Sequence, residues 1–205
     1  MIGYDVCCQD NDSYAFRDRP GIREDTPWYE LHQSIAPNMS GAPRRGVKRC
    51  AVCGELLDKW NERLTGLRIK KRCYDISCTY DGIDVVSRRF KEVYEASGLE
   101  GLLFIQLPDD PDCFQIQATH RVAFDAERRK TRFIKQCPKC GHFESVVGAT
   151  PVYLKTGQTI PDRGFVWTDL EFGSDDGKSP ILLCGVTAGR VLEEANLSGL
   201  DLAEV

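Results

Sequence analysis

Two copies of a short cysteine motif constrain this chain of 205 residues more than any other feature. The motif is Cys-x-x-Cys-Gly, and it begins at Cys50 and again at Cys137. Two thiolates three residues apart at a tight turn can reach one metal ion, with Zn–S bonds of about 2.3 Å. The glycine permits the positive φ by which the chain leaves such a turn. Two of these turns predict one structural S4 zinc site made by Cys50, Cys53, Cys137 and Cys140, with iron as the less favoured metal.

A different grouping of the ten cysteines competes with this joint site. Cys73 and Cys78 follow the first motif, and together with Cys50 and Cys53 they could form a local zinc ribbon. The second motif would then need other ligands, for which the candidates are Cys113, His120, His142 and Cys184. We favour the joint site because Cys78 is not followed by the glycine that ends each of the two Cys-x-x-Cys-Gly motifs. Whether these two cysteines join a metal site stays open.

The compartment bears on how the cysteines are used. The first ten residues contain neither a basic start nor an apolar run of signal-peptide length. Nowhere does the sequence approach 18 consecutive apolar residues, so no membrane span is predicted. We therefore expect a cytoplasmic protein, in which reducing conditions favour metal ligands or free thiols over disulfides.

Each motif precedes a strand–helix–strand pattern that ends in Leu-x-Gly-Leu. In the first copy, Ser87 is the expected N-cap of a helix, Phe90 and Tyr94 lie on its apolar stripe, and Gly98 follows its end. In the second copy, Thr187 is the expected cap. A shift of 98 residues brings identical residues together, placing Ile83 on Ile181, Val93 on Val191, Glu95 on Glu193, Leu99 on Leu197, Gly101 on Gly199 and Leu102 on Leu200.

Because the motif and the element recur in the same order, we expect a duplication. The predicted fold class is α+β: two related strand–helix–strand halves with short antiparallel strands, joined by a zinc-ribbon-like double-knuckle metal site. Residues 1–49 are expected to be an irregular segment packed on the body, 50–136 the first half and 137–205 the second half, in one compact unit. Within the first half, residues 113–135 are expected to form a hairpin.

Charge is unevenly distributed along the chain, whose net charge is −4. Residues 1–30 carry −4 and residues 160–205 carry −6, so the stretch between them carries +6. Its basic clusters favour a nucleic-acid-binding zinc ribbon as an alternative function. The overall acidity and the lack of a basic strand interleaved with aromatic residues argue against nucleic acid as the partner. The basic clusters are residues 44–49, 68–72 and 128–132.

Catalytic motifs are missing from the sequence: it contains no GxSxG, HExxH or P-loop pattern. We therefore do not expect an enzyme, and a metal or redox enzyme is the second alternative. Four acids, Asp169, Glu171, Asp175 and Asp176, lie close together without a nearby histidine for acid–base chemistry. They are a candidate binding rim for a cationic protein, since opposite charge accelerates association.

The order of features resembles the double-CxxCG paralogous proteins of myxobacteria and their relatives, over roughly residues 45–205. The resemblance rests on the two motifs and on the segment VVSRRFKEVYEASGLEGL. Cys73 and Cys78 do not map onto that family, and neither do residues 109–178 apart from the second motif. Because some members are described as immunity proteins, the resemblance implies a cytoplasmic protein that binds and neutralises a cognate toxin, with the metal as scaffold. The residues that carry over are Cys50, Cys53, Gly54, Cys137, Cys140 and Gly141.

Overall fold

The computed structural model describes residues 4–8, 48–61, 74–78 and 82–204. Within these ranges the protein is a mixed fold made mostly of strands, with three α-helices, as the α+β prediction requires. The strands are β1 Tyr4–Cys8, β2 Ile76–Cys78, β3 Asp84–Ser87, β4 Leu102–Leu107, β5 Asp110–Ala118, β6 Arg121–Val122, β7 Arg132–Gln136, β8 Phe143–Val147, β9 Phe165–Ser174, β10 Ser179–Cys184 and β11 Leu200–Glu204. The α-helices are α1 Arg88–Ala96, α2 Ala126–Arg129 and α3 Val186–Glu194; two short 3-10 helices are Lys59–Asn61 and Asp175–Gly177.

The strands form two sheets. The larger has the order β11-β1-β10-β9-β8-β7, with β6 paired to β9, and the smaller has the order β2-β3-β5-β4. Every pair between these described strands is antiparallel except β6 and β9. The larger sheet includes β1, so part of the N-terminal segment expected to be irregular is a strand. Residues 9–47 of that segment lie outside the described part of the chain.

Four strands of each sheet share both order and register. The order β4-β5-β3-β2 in the smaller sheet corresponds to β11-β1-β10-β9 in the larger one. A shift of 98 residues moves α1 onto α3 and β4 onto the start of β11. The loop after each helix has positive φ at two positions, Gly98 and Gly101 in the first and Asn196 and Gly199 in the second.

The main core combines side chains from both sheets and from the two longer helices. On α1, Phe90 and Tyr94 are buried, as the apolar stripe predicts, and on α3 Ala188 and Leu192 are fully buried. Cys184 belongs to this core with no exposed surface. Burying such aliphatic and aromatic side chains stabilises the fold by about 2 kcal/mol each. The remaining core residues are Ile76, Val86, Leu99, Leu102, Phe114, Ile116, Phe165, Trp167, Leu182 and Leu197.

Helix α1 begins as predicted, whereas α3 begins differently. The Ser87 hydroxyl accepts a hydrogen bond from the N–H of Phe90, which is the expected N-cap. The N-cap of α3 is Gly185, which has no side chain to accept a bond, so the expectation of Thr187 at this position is wrong. Asp162, from a loop, instead accepts hydrogen bonds from the N–H and hydroxyl of Thr187.

The hairpin expected over residues 113–135 does not form, so that prediction is wrong. The first part of the segment pairs with β3 and β4, and its last part pairs with β8. Between them, Asp125 caps the short helix α2 by accepting from the N–H of Arg128, and Lys130 ends it in the left-handed region. Before this helix, Val122 and Phe124 enter a second core, and after it the chain continues into β7, which pairs with β8.

Candidate metal centre

The first Cys-x-x-Cys-Gly motif forms a closed backbone turn. The N–H of Gly54 donates to the carbonyl of Cys50 at 2.8 Å, and the N–H of Cys50 donates to the carbonyl of Glu55 at 2.8 Å. Gly54 has a φ of +80°, so the motif glycine supplies the left-handed conformation that the exit from the turn requires. The turn thereby brings Cys50 and Cys53 to one side of the loop, where both belong to the sulfur cluster described below.

The second motif repeats these features. The N–H of Gly141 donates to the carbonyl of Cys137 at 2.9 Å, and the N–H of Cys137 donates to the carbonyl of His142 at 2.8 Å. Gly141 has a φ of +78°. This knuckle joins the end of β7 to the start of β8, so a two-stranded ribbon holds it. Equal hydrogen bonds and equal backbone conformation make the two knuckles alike.

The two knuckles face each other and bring four sulfur atoms together. Sγ of Cys50 lies 3.8 Å from Sγ of Cys137, and Sγ of Cys53 lies 3.6 Å from Sγ of Cys140. All four sulfur atoms lie within 4.8 Å of one another. These separations exceed a disulfide bond of about 2.05 Å by far. The structure therefore brings together the four cysteines that the sequence predicted as ligands.

The cluster has the dimensions of a tetrahedral thiolate site. Zn–S bonds of about 2.3 Å at tetrahedral angles separate the sulfur atoms by about 3.8 Å. The distances between equivalent cysteines, 3.8 and 3.6 Å, match that value. Four soft thiolates in this arrangement suit zinc, and an Fe(Cys)4 centre has the same donor set. The residues present thus fit a metal ion of the predicted kind.

Backbone N–H groups favour the thiolate form of the first cysteine in each knuckle. The N–H groups three and two residues further along donate to its sulfur, and they lower the pKa of Cys50 to about 6. The same two donors lower the pKa of Cys137. Both side chains are buried, with exposed fractions of 3% and 6%, so these hydrogen bonds replace the solvation that a buried thiolate loses.

The second cysteine in each knuckle behaves differently because the sulfur atoms crowd together. The N–H of Glu55 favours the Cys53 thiolate, but burial and the neighbouring thiols outweigh it and raise the pKa of Cys53 to about 12. The N–H of His142 likewise favours the Cys140 thiolate. Burial and the thiols of Cys137 and Cys50 outweigh it and raise the pKa of Cys140. Four thiolates this close need a cation between them, and a divalent metal ion supplies that charge.

The turn between β9 and β10 supports the first knuckle. Arg49 makes a two-pronged ion pair with Asp176, with N–O distances of 3.2 and 2.9 Å. Nζ of Lys178, a buried residue, lies 2.9 Å from Oε2 of Glu55. Nζ of Lys59 donates to the carbonyl oxygens of Asp176 and Lys178 at 2.9 and 2.5 Å. These contacts link the first motif to the chain that follows the second motif. Sequence reasoning missed all of them because the partners lie more than 100 residues apart.

The alternative ligands that the structure describes, among them Cys78 and His142, lie outside the sulfur cluster. Cys78 is half-buried in β2 and is not part of the group of four. Cys73 falls outside the described residues. His142 contributes its backbone to the second knuckle, and its Nδ1 lies 3.9 Å from Oε1 of Glu55. Its side chain therefore sits beside the site as a neighbour of Glu55, and its imidazole is not in the described cluster.

The acidic residues predicted as a binding rim lie on β9 and in the turn after it. Oδ1 of Asp169 accepts from the N–H of Phe124 at 2.9 Å, and Oε1 of Glu171 accepts from Nε1 of Trp60 at 2.8 Å. Asp176 holds Arg49, as described above. Asp175 is exposed and has a φ of +49°. Their role in partner binding stays a prediction, and three of the four have partners within this chain.

Comparison with models of known protein families finds no match for this chain, and comparison with curated protein sequences finds none either. In the described part of the chain, no helix is both long and apolar enough to cross a bilayer.

Proposed function

We propose that this protein is a cytoplasmic, zinc-stabilised protein-binding module of the immunity type, which binds and neutralises a cognate toxin. The observation that carries the proposal is the closed sulfur cluster, in which two knuckles 87 residues apart supply all four ligands. A site with four protein ligands leaves no position for substrate or water, which is the arrangement of structural zinc. The metal thus supports a surface for binding and takes no part in chemistry.

The zinc ion would be bound by Cys50, Cys53, Cys137 and Cys140 in one S4 site. When bound, the ion supplies charge compensation and a rigid link between the two knuckles. Within the protein, the six N–H donors of the two turns orient the thiolates and spread their charge. Arg49 and Lys178 fix the first knuckle against the turn that follows β9.

The proposal includes a duplication, in which the metal joins two related strand–helix–strand halves. Reciprocal contacts between the halves support it. The N–H of Phe165 donates to the carbonyl of Glu100 at 2.9 Å, and at the equivalent place the N–H of Ile76 donates to the carbonyl of Ser198 at 3.2 Å. Two copies related by a two-fold rotation are expected to make each contact twice in this way.

Two glycines add to the support for the duplication. A Cβ on Gly101 would lie 2.3 Å from the carbonyl oxygen of Phe165, and a Cβ on Gly199 would lie 2.4 Å from the carbonyl oxygen of Ile76. Both glycines have positive φ. The same residue type therefore allows the same close backbone approach on both sides. The two knuckles follow the same two-fold relation, because each sulfur atom of one knuckle lies next to the equivalent sulfur atom of the other.

The toxin is the partner class that the double-CxxCG resemblance implies, and the acidic residues near the first knuckle suit a cationic partner. The test is the protein encoded by the adjacent reading frame. We expect its expression to arrest growth, co-expression of this chain to restore growth, and the two proteins to form a complex in native mass spectrometry. A neighbour that is harmless and does not bind would contradict the immunity role and leave the zinc site standing.

The contribution of the acidic rim can be measured separately. Asp175→Asn keeps a side chain that tolerates the left-handed conformation and removes one exposed charge. We expect a slower association rate with the toxin and a weaker dependence of that rate on salt, because rim charges act mainly on encounter. Asp201→Asn, which removes an exposed charge from β11, is the matched control and should leave both unchanged. Equal effects of the two substitutions would rule out a specific rim.

A further inference from the structure

Strand β1 lies between two strands that are far from it in the sequence. It lies inside the larger sheet, antiparallel to β11 on one side and to β10 on the other. The strands on both sides of it belong to the last part of the sequence. In the smaller sheet, the corresponding place between β4 and β3 is taken by β5, which follows β4 after a two-residue turn at 108–109.

The pairing of β1 with β10 has the same register as the pairing of β5 with β3. In the smaller sheet, Val85 of β3 pairs with Gln115 of β5. A shift of 98 residues turns Val85 into Leu183, and Leu183 pairs with Asp5 of β1. The neighbouring pair follows the same rule, since Val86 pairs with Phe114 and Cys184 pairs with Tyr4. Each of these β1 residues thus occupies the position that the β5 residue numbered 110 higher occupies in the smaller sheet.

The pairing of β1 with β11 matches the pairing of β5 with β4 in the same way, with an offset of 110 residues over the whole of β1. In the smaller sheet, Leu102 pairs with Ala118, and in the larger sheet Leu200 pairs with Cys8. All five residues of β1 obey this rule. The pairs in the smaller sheet are Leu102 with Ala118, Leu103 with Gln117, Phe104 with Ile116, Ile105 with Gln115 and Gln106 with Phe114. The pairs in the larger sheet are Leu200 with Cys8, Asp201 with Cys7, Leu202 with Val6, Ala203 with Asp5 and Glu204 with Tyr4.

We propose that the gap between β10 and β11 is a strand-binding site, and that residues 4–8 fill it as a separable strand that can be supplied from either end of the chain or as a separate peptide. The occupant is this extended segment, recognised through two antiparallel ladders. The proposal rests on the related halves of the proposed function. It adds that the second half takes its last strand from the opposite end of the sequence.

The geometry of the first half specifies how a rearranged chain should be built. The shift of 98 makes residue 107 equivalent to residue 205, and the offset of 110 makes residue 111 equivalent to residue 1, so three residues, 108–110, lie between the two equivalent positions. A permuted chain therefore consists of residues 9–205, then a linker copied from Pro108-Asp109-Asp110, then residues 1–8. We expect it to bind zinc with the same stoichiometry as the parent chain, and to melt within about 5 °C of it.

A substitution in the strand shows whether it occupies the same place in both arrangements. Asp5→Pro removes a backbone donor at a position paired with both neighbours. We expect it to lower the melting temperature equally in the parent and in the permuted chain. A permuted chain that folds but is insensitive to Asp5→Pro has left its strand unbound, and this result would overturn the proposal.

Peptide exchange tests the same site in the chain with its natural order. A protease site is inserted after Asp10, and the folded full-length protein is cut there. A synthetic peptide of residues 1–10 with a fluorescent label should then exchange into the protein saturably, and the same peptide carrying Asp5→Pro should not. If neither peptide binds and the permuted chain does not fold, the proposal is wrong. Neither readout involves a toxin, so a failed immunity role leaves this test unaffected.

Discussion

Asp75 is the residue at which hydrogen bonds from two distant parts of the chain converge. Its Oδ1 accepts from the hydroxyl of Ser87 at 2.6 Å, and its Oδ2 accepts from the N–H and hydroxyl of Ser198 at 3.0 and 2.9 Å. Arg89 completes the set with an ion pair at 3.0 Å. Burial raises the pKa of Asp75, but the hydrogen bonds from Ser87 and Ser198 and the charge of Arg89 outweigh it, so the pKa is below its usual 3.8.

This carboxylate makes stability depend on pH in a defined direction. Because the pKa of Asp75 is lower in the folded state, its stabilisation is complete above the unfolded value of 3.8 and is lost as the pH falls through the lowered folded value. We expect Asp75→Asn to reduce the free energy of unfolding at pH 7 by about 2 kcal/mol. Urea titrations of both proteins at pH 7 and near pH 3 measure it. A difference that does not shrink at the lower pH would contradict the assignment.

Lys178 is a second residue whose contribution to the stability of the fold can be measured by a single substitution. It is 5% exposed and pairs with Glu55, directly after the first knuckle. Lys178→Met would leave the carboxylate of Glu55 half-buried without this partner, and we expect a loss of about 3 kcal/mol in urea unfolding. Lys135→Met is the matched control, since its ion pair with Glu144 is exposed and should matter little. Equal losses would show that the Lys178 contact has no special weight.

Among the elements, helix α3 depends on a cap from outside its own sequence. Asp162 accepts from the N–H and hydroxyl of Thr187, and these two bonds lower the pKa of Asp162. We expect Asp162→Ala to lower the melting temperature measured by circular dichroism, because the first turn of α3 loses its acceptor. Asp162→Asn keeps an acceptor and should recover most of the loss. If both variants melt like the parent, the cap does not stabilise the helix.

Elements defined by adjacent residues could be predicted from the sequence, and elements defined by distant partners could not. The Ser87 cap, the stripe of α1 and the knuckles depend on spacings of a few residues, which can be read directly. The hairpin over 113–135 was wrong because both of its presumed strands pair with other elements, which alternation alone does not reveal. The support of the first knuckle by Asp176 was missed for the same reason.

At the scale of the whole molecule, the sulfur cluster and the shared strand order of the two sheets belong to one arrangement. The predicted joint site proved to be the sulfur cluster of the structure, because matched glycine-ended motifs distinguished it from the local ribbon with Cys78. The sequence indicated the repeat of strand, helix and strand. It did not indicate that β1 completes the larger sheet, since no local signal in residues 4–8 identifies the strands that flank them.

Removing the metal should affect the whole fold. The ligands come from motifs 87 residues apart, so an ion bound there links two distant parts of the chain, and binding is coupled to folding. We expect a strong zinc chelator to lower the melting temperature and broaden the transition, and added zinc to restore both. Circular dichroism with and without chelator measures this. A chelated protein that melts like the parent would show that the site has no structural role.

Zinc content of single-cysteine variants tests the joint site most directly. Inductively coupled plasma mass spectrometry of purified protein should find one zinc per chain in the parent and in Cys78→Ser. Cys50→Ser and Cys137→Ser should each reduce the bound zinc and its affinity by a similar factor, because each removes one of four ligands of the same ion. If Cys137→Ser keeps full zinc content and stability while Cys78→Ser loses them, the local ribbon holds the metal and the joint site is wrong.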